Sequence, residues 1–116
     1  MKKIAIVLSG CGNKDGSEIT ESISLIIALS KIKIGYCFFA PNIEMSPKNF
    51  ITNVTLSEKR NILIESARIA RGNIKDIKDL NLNDFDALAF PGGSGAAKYL
   101  CSWSTSGADC EVLINR

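Results

Sequence analysis

Residues 3–18 read KIAIVLSGCGNKDGSE. A β-branched apolar run (3–8) meets a corner of small residues, and an amphipathic pattern begins directly beyond it. An apolar run this short, closed by glycine, reads as a strand. Strand, glycine corner and helix in that order open a parallel α/β unit, and the chain repeats the alternation. The first helix is expected from Gly16 or Ser17 to Ser30. Ile19, Ile23, Ile26, Ile27 and Ser30 share one face, widened by Leu25 and Leu29, so the helix is expected to be largely buried. A second strand, KIGYCFF (33–39), is ended by Ala40-Pro41. Residues 41–54 are irregular, with room for a short extension or hairpin. A second helix is expected over 57–71, with Thr55 and Glu58 as a capping box and Gly72 just past its end. Residues 73–85 read as a polar connector with a turn near 77–80. A third strand (84–90) breaks at Pro91-Gly92-Gly93. A short helix (94–101) follows, then a small polar tail (102–116) with Trp103 and an apolar group at 112–114.

Strands separated by helices imply a parallel sheet with right-handed crossovers. In such sheets ligands gather at the carboxyl ends of the strands. The two glycine-rich corners, 9–16 and 91–95, belong there on different strands and are expected to line one pocket.

The totals narrow the function classes. With 116 residues the chain is one domain at most, and 46% apolar with 22% charged residues is ordinary for a globular protein. The net charge is +2, with Lys and Arg scattered among acids, so no basic stripe marks a nucleic-acid partner. No apolar run approaches a membrane span. The start, MKKIAIVLSG, meets Gly and Asp rather than a cleavage site. It reads as the first strand, and export is not expected. Cys11, Cys37, Cys101 and Cys110 show no CxxC spacing, and the chain has no histidine. Cys/His zinc sites, Ser-His-Asp triads and Cys-His dyads within the chain are thereby excluded. Four reduced thiols in a cytoplasmic protein are expected. Cys37 reads as a small mid-strand hydrophobe, and Cys101 and Cys110 as inert.

The first corner admits several chemistries. Gly10, Gly12 and Gly16 follow a variant of the dinucleotide fingerprint. No acidic residue closes strand two, however, and Lys14 is not in a P-loop arrangement, so a phosphate is not the expected ligand. Cys11 near a helix N-terminus suggests an activated thiol, but no base stands beside it, and a small turn residue is the plainer reading. Glu18 fits a capping box with Asp15 as the N-cap. It also fits a partly desolvated carboxylate working as acid or base, and the two readings are compatible. In PGGSGAAKYL, adjacent glycines bring backbone amides close to a ligand, as an oxyanion hole requires. An ordinary tight turn has the same sequence.

The stretches KIAIVLSGCGNKDGSEITE, CFFAPN, EKRNILIESARIARGNIKDI, DFDALAFPGGSGAAKYLC and GADCEV resemble, in order, the ElbB-type branch of the ThiJ/PfpI superfamily, the enhancing-lycopene-biosynthesis proteins also described as glyoxalases. The resemblance implies a flavodoxin-like α/β fold of the class I glutamine amidotransferase-like kind, with helices on both faces of a parallel sheet. It implies a homodimer and a cofactor-free conversion of glyoxal, a small aldehyde, into glycolate, associated with isoprenoid biosynthesis. Neither cofactor nor metal is implied, and no nucleic acid or membrane partner. Glu18 matches the carboxylate that contacts a cysteine nucleophile, Gly92 and Gly93 match the oxyanion-hole amides, and Cys11 and Gly12 would shape the pocket wall. The nucleophile itself sits, in that family, on a later strand-to-helix elbow that these 116 residues do not contain. The chain therefore reads as one incomplete domain (1–116), truncated after about the third main strand and inactive alone. A non-catalytic binding remnant, or the product of a truncated gene, is the alternative. Without its later strands, the third strand is expected to leave an apolar edge (87–90) unpaired and the chain marginal or self-associating.

Overall fold

A computed structural model of the chain describes residues 2–102 and 106–107. Trp103, Cys110 and the apolar group at 112–114 lie outside the described residues. In chain order the elements are β1 (Lys3–Val7), α1 (Ile19–Lys31) and β2 (Gly35–Ala40). Four two-residue strands follow: β3 (Glu44–Met45), β4 (Lys48–Asn49), β5 (Val54–Thr55) and β6 (Arg60–Asn61). Then come α2 (Ile62–Ala70), β7 (Ile74–Asp76) and β8 (Ala87–Ala89). Short 3-10 turns occupy Ile77–Asp79 and Leu82–Asp84, and a π-helical turn spans Ala96–Leu100.

The main sheet runs β7-β2-β1-β8, with every pairing parallel. Side-chain alternation along β1 and β2 divides the core. Ile6, Leu8, Phe38 and Ala40 face Leu29 of α1 and Ile62, Ile69 and Ala70 of α2. Ala5, Val7 and Phe39 face Ile77, Leu80, Phe85 and Leu100 on the other side. Chain geometry accounts for this division. The steps β1 to β2 and β2 to β7 move the same way along the sheet, so right-handed crossovers put both α-helices on one face. The return to β8 moves the opposite way and lays residues 77–86 on the second face. The result is the expected flavodoxin-like parallel sheet, with α-helices on one face and short helical turns on the other.

Several local expectations change. α2 starts at Ile62 rather than Ser57, because Arg60 and Asn61 are pulled into an antiparallel ribbon against Met45 and Glu44. Asn61 caps the helix, its side chain accepting from the Ile64 amide at 2.9 Å. Thr55 lies in β5, and Glu58 pairs with Arg60 at 3.3 Å, so the predicted capping box does not form. The connector after Gly72 contains β7, a strand that its polar sequence concealed. Among the described residues it pairs with β2 alone, at the edge of the sheet, where a lysine and an aspartate are tolerated.

α1 is the largest departure. Only Ser22 and Leu29 are buried, with Leu25 and Ile26 packed partly against the core. Ile19, Ile23 and Ile27, spaced i, i+4, i+8, remain 39–50% exposed as a stripe turned away from the sheet. β8 is shorter than predicted. It pairs with β1 and has no strand on its other edge among the described residues, and Leu88 and Phe90 are exposed there.

Ile62 joins the ribbon to the core and is fully buried. Replacing it with alanine should cost about 2–5 kcal/mol through lost burial and the cavity left behind. Ile64→Ala, two residues along on the exposed side of α2, should change stability by no more than about 0.5 kcal/mol. Urea unfolding of the two variants measures the contrast.

Candidate functional site

β1 is flanked by β2 on one side and β8 on the other, so the strand order reverses at β1. The carboxyl ends of β1 and β8 therefore form the topological switch point, where open α/β sheets hold ligands. Both glycine corners lie there, and they touch through backbone rather than side chains. The Glu18 amide donates to the Gly92 carbonyl at 2.6 Å, Ser94 N to Asn13 O at 2.9 Å, and Gly95 N to Gly16 O at 3.0 Å. Glycine is what permits this approach. A Cβ on Gly16 would lie 2.5 Å from the Cys11 nitrogen and 2.7 Å from the Gly10 carbonyl carbon. A Cβ on Gly95 would lie 2.6 Å from both the Gly16 Cα and the Ser9 carbonyl oxygen.

Three buried serines hold the first corner in shape. Ser17 Oγ accepts from the Ser9 amide at 2.9 Å and lies 3.2 Å from Ser9 Oγ, and Ser66 Oγ of α2 accepts from the Gly10 amide at 2.9 Å. All three are completely buried, and each bond satisfies a main-chain or hydroxyl group that would otherwise be stranded from water. Asp15 is not the N-cap that its spacing predicts. It is buried, and its carboxylate accepts from the Lys48 amide at 2.8 Å, tying the corner to the β4–β5 ribbon.

Each predicted residue has a definite place. Glu18 is itself the N-cap of α1, its carboxylate accepting from the amides of Thr20 and Glu21. The Gly92 amide donates to the Glu21 carboxylate at 3.3 Å. Gly93 sits with a positive φ of 119° and its Cα turned against the Gly16 carbonyl. The Gly12 amide donates to the Ser17 carbonyl at 2.8 Å, and its Cα faces the Phe50 ring. Cys11 is half-buried against the α-helical side of the core. Burial pushes the Cys11 thiol up, and the Glu65 carboxylate adds to the rise. Arg68 opposes it, and Asp15 contributes a further upward push. A thiol so placed is less ionised at neutral pH than a free cysteine.

The structure thus brings Glu18, Gly92 and Gly93 together and places Cys11 and Gly12 on the inner side of the same corner. Sequence reasoning missed Glu21, although its i+3 spacing from Glu18 puts two carboxylates within the first turn of one helix. It also missed Ser66, which reaches the corner from 56 residues away and carries no local signal. Among the described residues, no three His, Cys, Asp or Glu side chains converge as metal ligands. Nor is any helix there long and apolar enough to cross a membrane.

Comparison with known proteins agrees with this architecture. No family model matches the chain. It is 43% identical over 115 residues to "Glutamine amidotransferase-like class 1 domain-containing protein 3, mitochondrial" of Homo sapiens, covering 95% of this chain and 42% of that protein. It is 44% identical over 112 residues to "ES1 protein homolog, mitochondrial" of Rattus norvegicus, again covering 95% and 42%. The crystal structure of an isoprenoid biosynthesis protein with amidotransferase-like domain from Ehrlichia chaffeensis superposes with a TM-score of 0.84 at 40% identity, over 86% of this chain and 47% of that one. The fold is class I glutamine amidotransferase-like. The chain spans less than half the length of each of these proteins.

Two outcomes follow from the corner's geometry. Gly16→Ala should destabilise the protein far more than Gly72→Ala. The first forces two backbones apart, whereas a Cβ on Gly72 would touch nothing within 4 Å and meets only its positive φ of 82°. That second penalty is about 1 kcal/mol, and thermal unfolding of the pair separates the two. Glu65→Gln removes a carboxylate that raises the Cys11 thiol, so its pKa should fall and its thiolate fraction at pH 8 should rise. Alkylation at Cys11 should then accelerate about two- to fivefold, read peptide by peptide with mass spectrometry.

Proposed function

We propose that this chain supplies the acid/base and oxyanion half of a small-aldehyde site, the reaction being conversion of glyoxal to glycolate in a glyoxalase of the ElbB type. The observation that carries the reading is the Glu18–Gly92 junction at the switch point. There a carboxylate from the start of α1 and the amides after β8 are held together by the 2.6 Å bond from Glu18 N to Gly92 O. Support also comes from the relatives with amidotransferase-like domains and from the neighbour named for isoprenoid biosynthesis. The chemistry suits a site without a cofactor. Glyoxal plus water gives glycolate and a proton, one carbonyl carbon being oxidised to carboxylate while the other is reduced to alcohol. No external oxidant or reductant is consumed.

In this reading a thiol adds to one carbonyl, the Gly92 and Gly93 amides receive the oxygen that becomes negative, and Glu18 exchanges a proton with the thiol or with water. In this reading the thiol is not Cys11, since the family's nucleophile sits on a later strand-to-helix elbow, and burial pushes the Cys11 thiol up. The attacking thiol belongs to a segment outside these 116 residues. The substrate-bearing form is a homodimer, without nucleic acid or membrane as partner. It works in the cytoplasm, where reducing conditions suit the free thiols Cys11, Cys37 and Cys101.

A second reading has its own observation. The Glu18 carboxylate is already bonded to two amides and the Gly92 amide to Glu21, so the corner is satisfied internally and can serve as a rigid binding module without turnover. Glycolate production from glyoxal decides between them. The 116-residue chain alone should give none. The product of the native gene, if its intact mass exceeds 12.5 kDa, should turn glyoxal over and lose at least about 100-fold in rate on Glu18→Gln. Turnover unaffected by that substitution would sink the enzymatic role given to Glu18.

A further inference from the structure

The peptide at Gly92 is held from both sides by the first turn of α1. Its carbonyl accepts from the Glu18 amide at 2.6 Å, and its amide donates to Glu21 Oε1 at 3.3 Å. The two contacts differ in kind. The first is short and joins backbone to backbone. The second is longer than the usual 2.7–2.9 Å of a charge-assisted bond, and it involves an exposed side chain that can turn into water without being stranded. The Glu21 carboxylate also lies flat against the Gly92 Cα. A Cβ there would stand 2.9 Å from Oε1 and 3.0 Å from Oε2. A carboxylate thus occupies one of the two amides that an incoming oxyanion would use. Two anions cannot share that donor, since like charges at this distance repel.

We propose that Glu21 is a built-in anionic occupant of the Gly92 amide, which a ligand's carboxylate or developing oxyanion must displace to bind. The inference rests on the reading of this corner as an oxyanion site and adds the gate that controls it. Three features agree with displacement. The bond is long and single, so displacing it costs a ligand no more than about one modest hydrogen bond. Glu21 is exposed, so its carboxylate is rehydrated on leaving. The corner keeps its shape meanwhile, because the Glu18–Gly92 bond and the Ser94 and Gly95 amide bonds do not involve Glu21. Glu21 acts here as a competitor for the donor and a positioning residue for the Gly92 peptide, not as an acid or base.

The test uses the chain with glycolate, and separately acetate, as probes, following the Gly92 amide by two-dimensional proton–nitrogen NMR. In the wild-type chain the Gly92 signal should shift only at high probe concentration. Glu21→Ala should tighten glycolate and acetate about tenfold, the size of one modest charge-assisted hydrogen bond. Glu21→Gln, which keeps an acceptor but loses the charge, should fall between. Gly92→Ala is an independent route to the same end. Its Cβ would collide with the Glu21 carboxylate while the amide donor stays in place, and Gly92 does not have the positive φ of its neighbour Gly93. It too should tighten the probes. Equal affinity in the wild type, Glu21→Ala and Gly92→Ala, or a Gly92 amide that never responds, overturns the proposal. Failure of the enzymatic reading looks different. The affinity gain on removing Glu21 would remain, but no glyoxal turnover would be found in the product of the native gene.

Discussion

Two backbones approach at the Gly16–Gly95 contact more closely than any side chain would permit. β1 and β8 are neighbours in the sheet, but sheet pairing alone leaves their following loops free to splay. The absence of a Cβ on Gly16 and on Gly95 lets the loops close until amide meets carbonyl, and three interloop hydrogen bonds form as a consequence. α1 takes its entry angle from the same junction, since its capping residue Glu18 donates its amide across it. Ser9, Ser17 and Ser66 satisfy the polar groups that such a tight corner would otherwise strand.

The corner is also densely acidic for its size. Asp15, Glu18, Glu21 and Glu65 surround it, and each has a distinct occupation. Asp15 anchors the β4–β5 ribbon, Glu18 caps α1, Glu21 holds the Gly92 amide, and Glu65 pairs with Arg60 and Arg68. Burial above all, then Glu65 and Asp15, opposes ionisation of the Cys11 thiol, and Arg68 offsets them only in part. Burial, reinforced by the two carboxylates Glu65 and Asp15, makes an environment that stabilises a neutral sulfur. An attacking thiolate at this switch point would need a different position, away from the β1 loop.

The sheet strands β1 and β2 and the two glycine corners were legible because strand periodicity and glycine are strong local signals. The corners' convergence was legible too, since parallel topology places the carboxyl ends of neighbouring strands side by side. What failed was decided by distant partners. The residues at 57–61 carry good helical and capping chemistry, yet pairing with Met45 and Glu44 overrides it. β7 has the composition of a loop and is a strand only because β2 offers it an edge. The isoleucines of α1 follow a helical stripe faithfully, but the wider apolar face exceeds what the sheet covers. At the site, Glu18 and Gly92 were found as members of a motif, whereas Glu21 and Ser66 become visible only when the corners are folded together. Nothing adjacent to Ser66 in sequence marks it as a partner of Gly10.

The attachment of β8 has a consequence for the order in which the molecule assembles and comes apart. β1 and β2 pair over five residues and are separated by one helix, whereas β8 joins β1 over three residues, aided by the bond from Lys3 N to Asp86 across 83 positions of chain. Closing that long loop carries the larger entropic cost, so β8 is expected to dock after the β1–α1–β2 unit and to detach before it. Amides of β8 should therefore exchange with solvent at a lower opening free energy than those shared by β1 and β2. Because one of the two corners travels with β8, the candidate site would then belong to the last-formed, first-lost layer of the native state. Mild destabilisation would silence it while most of the secondary structure remained.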